Sequence, residues 1–413
     1  MAIEDIVGRI AGDLEHLKRY TATPKAGCTR LPFTKEARQA VDYLKTIMAE
    51  AGLEVKEDAA GNVFGTLAGS DPTLPCVMMG SHYDSVVHGG DYDGIAGVIC
   101  AVETARQLKE RGIQPKRNFV VAGFCDEEGM RFGTGYFGSG AMLGKRDVAY
   151  CKRFRDTDGI SIYEAMQAYG LDPNRIEEAA WPEGSIGCFI EAHIEQGPML
   201  DAGNIEIGLV DCIVGIQRYM ITVNGRADHA GTTPMDMRMD AVEAATKVIS
   251  KIPDWAREKA DGTVATTGFI RTIPGGMNIV AEQCEFTVDI RSRNNDNIND
   301  IVRRISAALD RETEAIGGSY EMDNKLTITP VNLSQGMLSV MEESCKEHAF
   351  SYQYLPSGAG HDALEIGQVL PTVMLFVPSK DGRSHCPVEF TRYSDLAKAA
   401  VVLLDLAEKL LTE

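Results

Sequence analysis

The sequence predicts an α/β protein with helices on both faces of a mixed sheet and a second, ferredoxin-like domain inserted into it. Three observations carry this reading. Two short apolar runs, each ending in polar residues, flank a segment of helical spacing. A later stretch changes to a β-α-β-β-α-β order. The length, 413 residues, is more than one simple core serves well and suits two domains of unequal size.

The first run is PCVMMGSHYDS, starting at Pro75, and the second is RNFVVAGFCDEEG, starting at Arg117. Continuous apolar runs of this length read as strands buried on both faces of a largely parallel sheet. Between them, 94–111 carries helical spacing in IAGVICAVETARQLKER. Strand, helix and strand in this order imply ligands beyond the carboxyl ends of the strands. The N-terminal MAIEDIVGRIAGDLEHLKRY reads as an amphipathic helix.

From about Gly215 the pattern changes. GIQRYMITVNG alternates like a half-buried strand. Thr233 reads as an N-cap with Pro234 at the first helical position, opening the helix MDMRMDAVEAATKVISKI. Strands are expected at 264–271 and 284–291, a long amphipathic helix in NINDIVRRISAALDRETEAIGG, and a last strand at 320–328. This is the ferredoxin-like order. It sets an inserted domain at 213–328 and an α/β domain from 1–212 and 329–413. The strand LPTVMLFVP and the helix DLAKAAVVLLDLAEKLL suit the edge of the larger sheet.

Composition narrows the function classes. The formal net charge of -19 repels phosphate backbones, so nucleic acid is not an expected partner. No apolar run approaches the roughly 18 residues that span a bilayer. The N-terminus lacks the basic and apolar regions of a signal peptide. Ten cysteines without a CxxC pair read as reduced, small hydrophobes, which suits the cytoplasm. Cys125 and Cys386 stand beside candidate functional residues, yet both read as strand packing.

The chain has eight histidines. His82, His193 and His385 each lie in a short polar cluster that follows an apolar strand. Asp93, Glu127 and Glu128 stand in similar places. Burying so many ionisable groups at strand ends costs several kcal/mol per unpaired charge, and a bound divalent cation removes that cost. Imidazole and carboxylate without thiolate suit zinc, manganese, cobalt or nickel. Three histidines and two carboxylates suffice for two cations if one carboxylate bridges. Such a centre hydrolyses amides when a further carboxylate moves the proton. The adjacent Glu127 and Glu128 can divide those two tasks.

With GSHYDSV, GDYDG, DEEGMRF, EAHIEQGP, NGRADHAGTTPM, PGGMNIV, SGAGHDA and SHCPVE, the chain resembles the glutamate-carboxypeptidase and aminoacylase superfamily of two-metal hydrolases. Within it, the chain is similar to the branch of N-carbamoyl-L-amino-acid hydrolases, β-ureidopropionases and allantoate amidohydrolases. The resemblance implies that His82 and His193 bind one metal, that Glu128 and His385 bind the other, and that Asp93 bridges them. It implies Glu127 as general base and then acid, with Asp84 orienting the site from behind. His193, where the peptidase branch has a carboxylate, points to the carbamoylase side.

The resemblance also implies that His229 reaches the active site of the other subunit of a homodimer and stabilises the oxyanion. The dimer would form through the inserted domain, which would also swing over the site as a lid. Arg291 would clamp the substrate carboxylate, a task that suits the guanidinium fork. Gln196, Gln217 and Asn278 would hydrogen-bond the ligand, and Gly360 would offer it backbone. His361 and Asp362 would support that loop. The expected substrate is a small ureido or carbamoyl compound with a carboxylate. The family pattern is broken at Met130, where Ser is usual, and at Cys386, where Asn is common. Allantoate-specific members tend to carry a polar residue where this chain has Ile216, which favours an N-carbamoyl amino acid over allantoate. An aminoacylase or dipeptidase is a further enzymatic alternative. A non-catalytic amino-acid binding protein on a degenerate hydrolase scaffold is the non-enzymatic one.

Overall fold

The computed structural model of the chain describes residues 3–412. Residues up to Asp211 together with those from Asn332 form one compact unit, and Cys212–Val331 form another.

The first unit is built on a mixed sheet. Its centre is four strands in the order Phe119–Phe124, Cys76–His82, Ile186–Ile194 and Thr372–Val377. These four run parallel to one another. Almost every residue in them is buried, which explains their unbroken apolar runs. Antiparallel strands flank them, Val63–Leu67 on one side and Ile207–Ile213 on the other. Helices Ile3–Leu17, Ile95–Glu110 and Tyr393–Thr412 pack together, and the latter two also pack against the sheet. Thirteen of the sixteen residues in Ile95–Glu110 are buried, which suits its Ala, Val, Ile and Gly content.

The C-terminal strand is not at the edge that its position in the sequence suggests. Thr372–Val377 lies between Ile186–Ile194 and Ile207–Ile213, with all six residues buried. An interior strand must be apolar on both faces, and TVMLFV is.

Register fixes where function can sit. His82 pairs with Phe124 across one ladder, and Phe376 pairs with His193 across another. The central strands therefore end at about the same level, and the chain that follows each of them enters one common region.

The second unit contains a sheet in the order Ile270–Ile273, Gln283–Ser292, Gly215–Asn224 and Ser319–Ile328, all antiparallel. Burial alternates strictly along Gln283–Ser292, the pattern of a sheet with one covered face. Helices Ala241–Ile249 and Asn295–Ile316 pack on that sheet. Its core joins Phe286, Val288 and Ile290 to Ile298, Ile301, Ile305 and Val248. Phe286→Ala should lower the unfolding free energy by about 3–5 kcal/mol, read as a lower urea midpoint of the second unit's transition.

Two local expectations fail here. The helix does not open after Thr233. Met235–Met237 form a short 3-10 turn, and the α-helix begins at Ala241. Asp240 is the cap, because its carboxylate accepts from the backbone N–H groups of both Val242 and Glu243. The helix then stops at Ile249, and a second, Ile252–Arg257, starts with Pro253 in its first turn. The strand expected at 264–271 is likewise two pieces, Val264–Thr266 and Ile270–Ile273.

Candidate metal centre

His82 ends its strand, and His193 is the penultimate residue of the neighbouring parallel one. Asp93 stands just before helix Ile95–Glu110. Glu127 and Glu128 follow strand Phe119–Phe124 through Asp126, and His385 lies in the loop after Thr372–Val377. Asp126, Gln196 and His385 all have φ near +57° (57°, 57° and 56°). Non-glycine residues rarely adopt this backbone, and it commonly marks a functional site.

These side chains converge around Asp93. Its Oδ1 lies 3.4 Å from His82 Nε2 and 3.1 Å from His193 Nε2. Its Oδ2 lies 3.3 Å from His385 Nε2, which is in turn 3.4 Å from Glu128 Oε1. Glu127 Oε2 is 3.8 Å from His82 Nε2. Two triads of potential ligand atoms thus share one carboxylate: His82, Asp93 and His193, then Asp93, Glu128 and His385.

The hydrogen bonds behind the site fix which atoms face inward. His193 Nδ1 is 2.9 Å from the Ile194 carbonyl, and His82 Nδ1 is 3.2 Å from the Asp84 carbonyl. A carbonyl can only accept, so each Nδ1 carries the proton and each Nε2 presents a lone pair. The Gly94 N–H donates to His193 Nε2 at 3.2 Å, which agrees with that tautomer. Asp93 Oδ1 and Glu128 Oε1 are buried and make no hydrogen bond. The His82 Nε2 lone pair and the unpartnered Asp93 Oδ1 therefore face one another beside His193 Nε2, whose one donor is the Gly94 N–H. A cation satisfies such an arrangement, so the residues fit a metal.

Without a cation, protons take up the charge. Burial alone would push Asp93 up, but His193, His385 and His82 hold it well below the usual carboxylate range. Burial pushes Glu128 up to about 7, with Asp93 adding to the rise. Burial also drives Glu127 well above the usual range; His82 opposes this and Glu128 reinforces it. The hydrogen bond to Asp93 raises His385 to about 9. A bound dication would instead lower Glu128 and His385 and would hold Asp93 ionised still more firmly.

The pattern of peptidase family M20/M25/M40 matches residues 73–409. The chain belongs to this family. It is 40% identical to an N-carbamoyl-L-amino-acid amidohydrolase of Paenarthrobacter aurescens, over 97% of each chain. It is 36% identical to an allantoate amidohydrolase of Bacillus subtilis, over 96% of each. Among solved structures it resembles an amidase of the hydantoinase/carbamoylase family from Burkholderia multivorans, with a TM-score of 0.89, 32% identity and 98% of each chain covered.

In this M20 chain a second layer of residues holds the ligands. Asp84 accepts from the backbone N–H of Glu127 at 3.1 Å and of Glu128 at 3.3 Å, one on each oxygen. It therefore fixes the turn that carries both glutamates, and its Oδ1 lies 3.6 Å from His82 Nδ1. Gln196 donates to Asp93 Oδ2 at 2.7 Å. His361 bonds Ser357 at 2.9 Å, and its ring centre lies 4.4 Å from that of His193. Burial, helped by His193, holds His361 well below its ordinary value, so it is neutral. Asp362 opens the short helix Asp362–Ile366, and a Cβ on Gly360 would lie 1.9 Å from the Tyr136 hydroxyl.

Gly94 allows the approach of Asp93. It has φ +66°, and a Cβ there would lie 2.3 Å from the His82 imidazole. Gly94→Ala should weaken metal binding by about 10–100-fold, the range for disturbed ligand support. Elemental analysis after dialysis against a competing chelator would read this.

Sequence reasoning missed several members of this layer. Glu389 Oε1 accepts from the backbone N–H of Tyr92 at 3.0 Å and of Asp93 at 3.1 Å. Ser384 Oγ lies 2.7 Å from Glu389 Oε2 and 2.8 Å from Asp93 Oδ2. Together they tie the Asp93 loop to the His385 loop. Glu191 accepts from Ser81 Oγ and from the Ala363 N–H, joining two strands to the Gly360 loop. Glu389 ends the SHCPVE motif, which was the available signal. Cys125 is buried directly after strand Phe119–Phe124, whereas Cys386 is half-buried and lies in a loop rather than in a strand.

His229, Asn278, Gln217 and Arg291 all lie in the second unit, in two places. His229 pairs with Ile279 on a two-stranded ribbon, and the Ala230 N–H bonds the Asn278 carbonyl. Gln217 and Arg291 lie on adjacent central strands. Asp289 pairs with Arg291 at 2.8 Å, and Gln217 bonds Tyr219 and Asn299.

Proposed function

We propose that this chain hydrolyses the carbamoyl amide of an N-carbamoyl-L-amino acid with a pair of divalent cations, giving the free amino acid, carbon dioxide and ammonia. One observation carries the reading: the two oxygens of Asp93 face two separate ligand sets. Oδ1 faces His82 and His193, and Oδ2 faces His385 with Glu128 beyond it. His82 and His193 would hold one cation, Glu128 and His385 the other, and Asp93 would serve both, with zinc, manganese, cobalt or nickel as suitable ions. The names of the similar amidohydrolases support the substrate class.

Cations held there would supply Lewis acidity toward the attacking water and the carbamoyl oxygen. Glu127 accepts the proton of that water as the oxygen adds to the carbamoyl carbon. It then donates the proton to the amino-acid nitrogen as the C–N bond breaks. The carbamic acid released decomposes to carbon dioxide and ammonia. Asp84 keeps Glu127 in place through its backbone N–H. Gln196 and Gly360 would contact substrate from the first unit. His229 as oxyanion donor, Arg291 as carboxylate clamp, and Asn278 and Gln217 as hydrogen-bonding partners are part of this proposal. So are a ferredoxin-like lid and homodimer contact in Cys212–Val331, and work in the reducing cytoplasm. No helix among the described residues is long and apolar enough to cross a membrane.

The test is a panel of N-carbamoyl-L-methionine, N-carbamoyl-β-alanine, allantoate and N-acetyl-L-methionine, each with manganese, cobalt, nickel and zinc. The expected result is the highest kcat/KM for N-carbamoyl-L-methionine. A preference for allantoate or the acetyl compound would overturn the reading. The relatives named as allantoate amidohydrolases make allantoate the second reading.

A further inference from the structure

A cavity of about 480 Å³ opens beside the metal centre, within the first unit. That volume falls in the range of small-ligand pockets, about 300–1,000 Å³. Met199, Tyr354, Leu355, Pro356 and Phe376 give its wall large apolar groups, and Gln196 also lines it. Met199 and Tyr354 are exposed, so the apolar wall is open to an incoming group.

Two contacts join the cavity to the metal ligands. Gln196 Nε2 bonds Asp93 Oδ2 and lies 3.3 Å from His385 Nε2. The Phe376 ring centre lies 6.5 Å from that of His193 and 5.7 Å from that of His361. The wall is also braced, since the Tyr354 hydroxyl donates to Glu342 Oε2 at 2.9 Å. Gln196 Oε1 is buried and makes no hydrogen bond.

We infer that this cavity receives the side chain of the amino acid, and that the enzyme selects uncharged, large apolar side chains such as those of phenylalanine and methionine. This rests on the functional reading above. The argument is by elimination and fit. The substrate carboxylate needs a cation or several N–H donors, and no lysine or arginine lines the cavity among the described residues. Glu195, which does line it, has its carboxylate bound to the N–H groups of Met199 and Leu200. Its charge disfavours an acidic side chain. The free Gln196 Oε1 is an acceptor on the side chain that bonds Asp93, and the N–H of the scissile amide is a donor that would satisfy it. With that N–H held at Gln196 and the carbamoyl group at the metals, the side chain on the next carbon enters the apolar space.

The test compares N-carbamoyl-L-phenylalanine, N-carbamoylglycine and N-carbamoyl-L-aspartate in the metal-loaded enzyme and in Ala359→Leu and Tyr354→Ala. Ala359→Leu fills the cavity, and Tyr354→Ala removes part of its wall. In both, the phenylalanine-to-glycine ratio of kcat/KM should fall at least 10-fold, the scale of misfit in an apolar pocket. Metal content should equal that of the wild type. A ratio within twofold of wild type in both variants overturns the assignment, as does a wild-type preference for aspartate. If the wild type hydrolyses no carbamoyl compound, the functional reading fails instead. Calorimetric titration with free L-phenylalanine and glycine then decides the cavity. A preference for L-phenylalanine that is lost in Ala359→Leu supports it, and one unchanged in both variants, or absent from the wild type, overturns it.

Discussion

Glu127→Gln is expected to lower kcat by about 10²–10⁴-fold while leaving metal content and KM near wild type. The reasoning starts from geometry. Glu127 Oε2 faces His82 Nε2 at 3.8 Å; it lies outside both triads that share Asp93, though with His82 and Glu128 it forms a third group of potential ligand atoms. Its backbone N–H is held by Asp84, and the Tyr136 N–H donates to its carbonyl at 2.9 Å. An amide side chain keeps both contacts and the volume but cannot accept a proton from water. The loss should therefore fall on kcat and kcat/KM together, the sign of an interaction made only in the transition state. Glu127→Asp retracts the carboxylate by one methylene and should lose less than the amide variant, because the group can still titrate. If Glu127→Gln turned over at a tenth of the wild-type rate or more, Glu127 would be removed as the proton carrier.

Much of this site can be read in the sequence, and the reason is topological. Parallel strands buried on both faces need continuous apolar runs, and the ligands follow those runs directly. VVAGFCDEE and FIEAHI both show it: the apolar stretch ends and the functional groups begin. Position along the chain therefore reports position in the site. The second layer is different. Glu389 acts on the N–H groups of Tyr92 and Asp93 from 297 and 296 residues away, and no local pattern encodes such a contact. The Gly360 motif was legible, but not that the Tyr136 hydroxyl occupies the space a side chain there would take. The failed helix start has a local cause. Thr233 and Pro234 form a plausible cap, yet Asp240 satisfies two N–H groups, and tertiary packing of Ala241, Ala244 and Val248 begins only there. Propensity admits both starts; burial of the apolar face chooses the later one.

Asp93→Asn should abolish the stabilisation of the protein by metal. In the wild type stripped by chelator, adding a divalent cation at about 100 times its dissociation constant should raise the unfolding free energy by about 2.7 kcal/mol, since the ion binds the folded state alone. The variant should show less than a third of that shift, measured by denaturant titration with and without the ion. Asn keeps the shape and can still meet Gln196 and Ser384, so gross misfolding is not the expected cause. What changes is charge and polarity. One carboxylate oxygen becomes an N–H₂ donor that faces either the His82 and His193 lone pairs or His385. The donor satisfies by hydrogen bonding what the cation satisfies by coordination, and it removes the only charge common to both ligand sets. Because both sets depend on that single side chain, its loss should lower occupancy at each, whereas a change at His193 should act mainly on one. Equal metal-induced stabilisation in Asp93→Asn and wild type would mean that the cations are held without this bridge, and the two-cation reading would fall with it.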